Sequence, residues 1–204
     1  MLELNRQARM MLLGGLFLLG CTSTQPAEEP AAPIEAAEAA PAATPADSEA
    51  KEKAPDLDLL NARYPLPGVL TGGQPSWEQL AEASKEGYKT IVNLRSLRET
   101  AGEEEAAEVA KLGMRYVAIP LAGSADLTGD NVDALNAVLA DESAYPMMIH
   151  CGSGNRVGAL LAVRAAYTEG MEAADALAFG LEAGLTTLED PVRSILGLPV
   201  QHPE

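Results

Sequence analysis

The residues best suited to chemistry lie in one stretch, His150-Cys151-Gly152-Ser153-Gly154-Asn155-Arg156-Val157-Gly158. An apolar strand pattern, Met147-Met148-Ile149-His150, leads into it, and a helical pattern from Arg156 to Glu169 follows, ended by Gly170. A loop with two glycines between a strand and a helix can turn successive backbone N–H groups inward, and the helix N-terminus adds partial positive charge. Together they make a cradle for a tetrahedral oxyanion. Cys151 at the base of this cradle feels the same field, which favours the thiolate, the nucleophilic form of the thiol. Arg156 brings a planar fork that can clamp two anion oxygens. A cation in the first turn of a helix opposes the dipole, so an anion is needed to justify it. The expected chemistry is transfer of a phosphoryl or sulfur group through a thiol intermediate. Cys151 and Arg156 would be catalytic, and Gly152, Ser153, Gly154 and Asn155 would form the anion-binding loop. His150 either tunes Cys151 or bonds within the core.

The elements that must position this loop alternate strand and helix. Val69-Leu70 is a short strand before Thr71-Gly72-Gly73-Gln74-Pro75, and Ser76-Trp77-Glu78-Gln79 is a capping box that opens a helix stopping at Gly87. Tyr88–Leu94 has the β-branched density of a buried strand. A helix over Glu103–Leu112 ends at Gly113, and a strand over Met114–Ile119 is expected to end at Pro120. Leu127–Leu139 carries Val132, Leu135, Val138 and Leu139 on one helical face. Two further short helices fit 171–183 and 187–196. Strands separated by helical crossovers predict an α/β domain with a largely parallel, buried sheet flanked by helices. Arg95 with Glu99, after the second of the four strands, reads either as an ion pair over the pocket mouth or as a solvated loop, and the loop is favoured.

The chain of 204 residues carries a net charge of −16, which excludes a nucleic-acid binder because no basic patch can dominate such a surface. Two cysteines make neither a disulfide framework nor a Cys-rich zinc site, and no ligand cluster calls for a metal or other cofactor. Residues 1–21 show a basic start (Arg6, Arg9) and an apolar run, Met10–Leu19, too short to span a bilayer. They read as a secretion signal whose Leu18-Leu19-Gly20-Cys21 end resembles a bacterial lipobox, so Cys21 is expected to be lipidated. Thr22 in place of Asp favours an outer-membrane anchor facing the periplasm. Residues 22–56 hold 12 Ala, 6 Pro and no Gly, with eight acidic and two basic residues, and read as a disordered, extended tether. With the tether at −6 and the signal at +1, the expected domain, 57–200 with its short tail, carries −11.

His150–Gly158, taken with Gly72-Gly73-Gln74-Pro75, Ile91-Val92-Asn93-Leu94-Arg95 and Ile119-Pro120 in that order, resembles the phosphatase-like domain of the beta-lactamase-hydrolase-like family, within the cysteine-dependent tyrosine and dual-specificity phosphatases. The resemblance covers most of 66–165. It implies a phosphatase-type α/β sheet, Cys151 as the phosphocysteine-forming nucleophile and Arg156 as the phosphate clamp. It further implies a phosphorylated protein or small phosphomonoester as substrate. The chain departs from the pattern in three places. Four residues separate Cys151 from Arg156 where the superfamily has five, a loop length that also resembles rhodanese-type sulfurtransferases. Val157 stands where a hydroxyl residue is expected. The general acid is missing from its expected place, where the chain has Leu121-Ala122-Gly123, which leaves Asp126, then Asp130, as the nearest substitutes. A Cys151 persulfide carrier and a non-catalytic anion-binding envelope domain are therefore the alternatives to the phosphatase.

Overall fold

The structure, a computed structural model, describes residues 53–99 and 102–201. The signal segment, Cys21 and the tether up to residue 52 lie outside the described residues. Five strands form one sheet: β1 (Arg63–Leu66), β2 (Val69–Gly72), β3 (Thr90–Arg95), β4 (Arg115–Leu121) and β5 (Met147–His150). Among the described residues six α-helices connect and cover them: α1 (Trp77–Lys85), α2 (Gly102–Lys111), α3 (Gly129–Leu139), α4 (Asn155–Tyr167), α5 (Ala173–Glu182) and α6 (Glu189–Ile195). The strand order is β1-β2-β5-β3-β4, parallel throughout except for the β1–β2 pair. The expected fold class is the one observed.

The strand that leads into the cysteine loop, β5, lies at the centre. In register, His150 of β5 is level with Gly72 of β2 on one side and Asn93 of β3 on the other. These residues sit at the carboxyl ends of parallel strands, where open α/β sheets bind ligands. Both faces of the three central strands, β2, β3 and β5, are buried, which is why these strands are mostly apolar without alternation. Val69, Val92, Ile149 and Cys151 join one core with residues of α3 and α4, including Leu135, Val157 and Leu160. Leu70, Ile91 and Met148 join the other with Leu80 of α1 and Val109 of α2. Successive side chains of β5 therefore point to opposite faces.

Local chemistry explains most boundaries. Ser76 caps α1 through Gln79 N–H, and the Gln79 side chain returns to the Ser76 N–H, so the predicted capping box is present. Three features differ from the sequence reading. β1 was not expected, because Pro65 within Arg-Tyr-Pro-Leu weakens a strand pattern; as the outer strand of a hairpin it tolerates a residue without an N–H. β4 does not stop at Pro120 but continues to Leu121. It too is an edge strand, and the register shift between Asn93/Ala118 and Arg95/Leu121 sets Ile119 and Pro120 against Leu94 alone, a bulge that accommodates the proline. Packing also begins before residue 57, for Ala54 is buried in the second core and the Tyr88 hydroxyl donates to the Pro55 carbonyl.

Candidate active site

The loop after β5 turns on glycine geometry. Gly154 caps α4 with φ of 93°, a left-handed conformation that a side chain would strain. This turn brings the Gly154 N–H to 3.1 Å from the Cys151 sulfur. Cys151 is 1% exposed, so that N–H and the helix N-terminus act on the sulfur with little water between them. The outer side of the loop is tied to β2: Gly73 bridges to Ser153, and the Gln74 N–H donates to the Gly152 carbonyl at 3.3 Å. The Asn61 amide donates to the Ser153 carbonyl at 3.0 Å. Asn155 works as a brace for the neighbouring wall. Its side-chain oxygen accepts from the Thr186 and Leu188 N–H groups at 2.8 and 3.2 Å, and its amide donates to the Thr187 hydroxyl.

Arg156 is in the first turn of α4 and folds back over the loop. A Cβ added to Gly152 would lie 3.3 Å from its Nη2, so the side chain of any other residue would crowd the guanidinium. Its Nη1–Nη2 edge does not face solvent. Nη1 donates to Glu99 Oε2 at 2.6 Å and to the Leu121 carbonyl at 2.7 Å, while Nη2 donates to Glu99 Oε1 at 2.8 Å. Glu99 is itself held by the Ser96 N–H and hydroxyl, at 2.7 and 3.0 Å, and by Arg95 at 3.4 Å. The Arg156 bond first of all, then the Ser96 bonds, outweigh the effect of burial and pull the Glu99 carboxyl down to about 2. In turn the hydrogen bond to Glu99, assisted by the nearby Cys151 sulfur, strengthens the hold of Arg156 on its proton against the cost of burial. The solvated-loop reading of Arg95 and Glu99 is therefore corrected. Arg95 and Glu99 form an ion pair at 3.4 Å, and the further partner of Glu99, Arg156, is 57 residues away in sequence, where local pattern gives no sign of it.

A cavity of about 490 Å³ opens beside this pair, between Ser96 and Glu99 on one wall, Ala122 and Gly123 on a second, and Thr187 and Leu188 on a third, with Ser153, Asn155 and Arg156 at its floor. Asp126 sits behind the second wall. Its Oδ2 accepts from the Ala122 N–H at 2.6 Å and the Gly123 N–H at 3.3 Å, so it braces that turn. Asp130 lies exposed in the first turn of α3. Val157, where a hydroxyl residue was expected, is fully buried in the core.

Behind the loop lies a buried polar cluster that the sequence reading missed. His150 and Glu105 are both 0% exposed, with Nε2 and Oε1 only 2.6 Å apart. Burial alone would push the Glu105 carboxyl up; contact with His150, a bond from Gln74 and the charge of Arg95 together outweigh it and leave the carboxyl below its usual range. Among the described residues no group of His, Cys, Asp and Glu side chains is arranged to hold a metal ion.

The fold and the cysteine loop define a phosphatase-type α/β domain. A family model described as "DSP-PTPase phosphatase fused to NAD+ Kinase" matches residues 63–187, more than half of the chain, and the chain belongs to that family. Among curated proteins, the beta-lactamase hydrolase-like protein of Xylella fastidiosa (strain Temecula1 / ATCC 700964) is 25% identical over 99 residues, 47% of this chain; the match spans only 22% of that relative. Among solved structures, a protein of Shewanella putrefaciens CN-32 described as a DUF442 phosphatase superposes with a TM-score of 0.52 at 18% identity, covering 69% of this chain and 93% of its own. Tk-PTP in its active form superposes equally well, with a TM-score of 0.52 at 19% identity over 66% and 95% of the two chains.

Proposed function

We propose that the protein is a cysteine-dependent phosphatase that hydrolyses a phosphomonoester, on a protein side chain or a small molecule, through a phosphocysteine intermediate. The observation that supports this reading most is the meeting of three groups at one point: a buried thiol, an N–H 3.1 Å from its sulfur, and a guanidinium folded over the same loop. In the first step the Cys151 thiolate attacks phosphorus, the phosphorus–ester oxygen bond breaks, and its electron pair leaves on that oxygen, which takes up a proton. Loop amides and Arg156 hold the equatorial oxygens as their charge grows. In the second step water attacks phosphorus and gives up a proton, the sulfur–phosphorus bond breaks, and phosphate and the thiolate are released. Asp126 is the candidate proton donor and acceptor; to act it must let go of the Ala122–Gly123 turn. A domain of net charge −11 repels polyanions, which favours substrates with a single phosphoryl group.

The reading includes attachment to the bacterial cell envelope through lipid on Cys21, with the domain facing the periplasm. It follows from the signal pattern of residues 1–21. In cells, wild-type chain should partition into detergent with the membrane fraction and a Cys21→Ser variant should not; an aqueous wild type would contradict it.

The catalytic reading is tested with the full chain and its Cys151→Ser variant. Each is given an aryl phosphate and, separately, thiosulfate with cyanide. Phosphate release that depends on Cys151 is the expected result. Thiocyanate formation without phosphate release would instead make Cys151 a persulfide carrier. Neither product, with phosphate still bound, would leave an anion-binding domain.

A further inference from the structure

Three successive carbonyls of the cysteine loop each have a donor. The Gly152 carbonyl accepts from the Gln74 N–H at 3.3 Å and the Gly154 carbonyl from the Gly158 N–H at 3.0 Å, both backbone groups. The middle one, on Ser153, is held by a side chain. The Asn61 amide, 92 residues away in sequence, donates to it at 3.0 Å. That carbonyl belongs to the same peptide unit as the Gly154 N–H. The unit is trans, so its C=O and N–H point in opposite directions. With its oxygen on Asn61 it presents its N–H on the other side, 3.1 Å from the Cys151 sulfur. One peptide thus joins an outer amide donor to the nucleophile. A donor on the oxygen also polarises the unit and strengthens the bond that its N–H gives.

Asn61 is placed for this by a turn built against the loop. Residues 59–62 close with the Ala62 N–H on the Leu59 carbonyl at 3.0 Å, and Asn61, third of the four, has φ of 56°. A positive φ at that position takes glycine or asparagine. Among the described residues no other non-glycine has one. The turn is seated on Gly72 and Gly73: a Cβ on the first would lie 2.6 Å from Leu59 Cδ2 and one on the second 2.8 Å from Leu60 Cδ2. The Gly73 N–H donates to the Leu60 carbonyl at 2.7 Å, and Gly73 bridges in turn to Ser153. Glycine would satisfy the turn as well as asparagine does; the amide is what it would lack. We propose that Asn61 is a positioning residue for the cysteine chemistry: its side chain holds the Ser153–Gly154 peptide so that the Gly154 N–H faces the Cys151 sulfur. With that peptide turned over, carbonyl lone pairs would face the sulfur and any bound anion instead.

This inference rests on Cys151 being the reactive group of the proposed phosphatase, but it is read without any phosphatase substrate. The full chain is compared with Asn61→Gly and Asn61→Asp. Glycine keeps the turn and removes the amide; aspartate keeps the shape and sets an acceptor against the Ser153 carbonyl. Asn61 is exposed, so both variants should fold. Arg156 and His150, beside Cys151, are the same in all three chains. In isotope-labelled protein the Gly154 amide proton resonance should move upfield in both variants, as its bond to sulfur weakens. Iodoacetamide at pH 6 should alkylate Cys151 more slowly by about threefold or more, the scale of weakening one bond to a charged group. A loop that was merely loosened would expose the buried thiol and alkylate faster. An unmoved Gly154 signal in a folded variant, or alkylation at the wild-type rate or above, would overturn the proposal. If one variant does not fold, the other decides by the same two readouts; if neither folds, Asn61 serves the fold and the proposal is overturned. Failure of the phosphatase reading would show separately, as wild-type chain that differs from its variants in both readouts yet releases no phosphate.

Discussion

Replacing Arg156 by Lys will lower kcat/KM toward an aryl phosphate by about 10²- to 10³-fold, the scale of losing one preorganised donor to a developing oxyanion. The loss follows from how the guanidinium is divided. One edge, Nη1 and Nη2, is committed to Glu99, and Nη1 also reaches the Leu121 carbonyl. That grip turns the remaining donors toward the loop, with Nη2 close over Gly152. A lysine ammonium is a point charge without a second edge, so it either pairs with Glu99 or meets the substrate, and cannot hold both in plane. Steady-state kinetics on the folded variant measure this directly, and a variant within threefold of wild type would remove Arg156 from the site. On the proposed mechanism Glu99, which holds Arg156, is part of the clamp. Glu99→Gln should keep the fold and lose about tenfold in kcat/KM, because a neutral amide orients the guanidinium without the charge-assisted bonds.

The pair also sets an acid limit. The Glu99 carboxyl is held down to about 2, below its ordinary value, so its pairing contributes stability that is fully present above the unfolded value near 4.5 and is lost as pH falls through about 2. Across neutral pH the clamp stays assembled. Urea midpoints taken between pH 2 and 6 should therefore fall more steeply for wild type than for Glu99→Gln. Parallel slopes would contradict the pairing.

Gly158→Ala is expected to have the largest effect on the fold, a loss of about 3 kcal/mol or more from overpacking. A Cβ there would stand 2.1 Å from the Leu185 nitrogen and 2.6 Å from the Gly180 carbonyl oxygen, both backbone atoms that no rotamer change can move aside. Helices α4 and α5 would have to part. The reverse side of the same contact is equally close, since a Cβ on Gly180 would meet Ala162 Cβ at 2.6 Å. For a domain of this size the melting temperature should fall by about 10 °C. Leu185 leads directly into the Thr186–Leu188 wall that Asn155 braces, so surviving protein should also show weakened phosphate binding. An alanine variant that melts with wild type would mean the helices are not in this contact.

Features local in the chain were legible before any coordinates. The strand Met147–His150, the loop behind it, the capping box at Ser76 and the apolar face of α3 each declare themselves within a dozen residues, because glycine, cap and periodicity act at short range. Legibility ended where partners are distant. Glu99 sits in a polar stretch and takes its meaning from Arg156; Glu105 lies in an acidic helical run and is drawn inside by His150, Gln74 and Asn93. The motifs around Gln74 and Asn93 were visible as residue patterns, but their point of convergence was not, since it depends on strand order. β1 and the end of β4 were obscured by prolines that only an edge position makes harmless.

The central claim is that phosphate passes through sulfur. Full chain mixed with an aryl phosphate and quenched within the first turnover should carry one phosphoryl group on the peptide containing Cys151, with none in Cys151→Ser and with phenol release running ahead of phosphate release. Turnover with an unmodified Cys151, or turnover that survives in Cys151→Ser, would contradict the account.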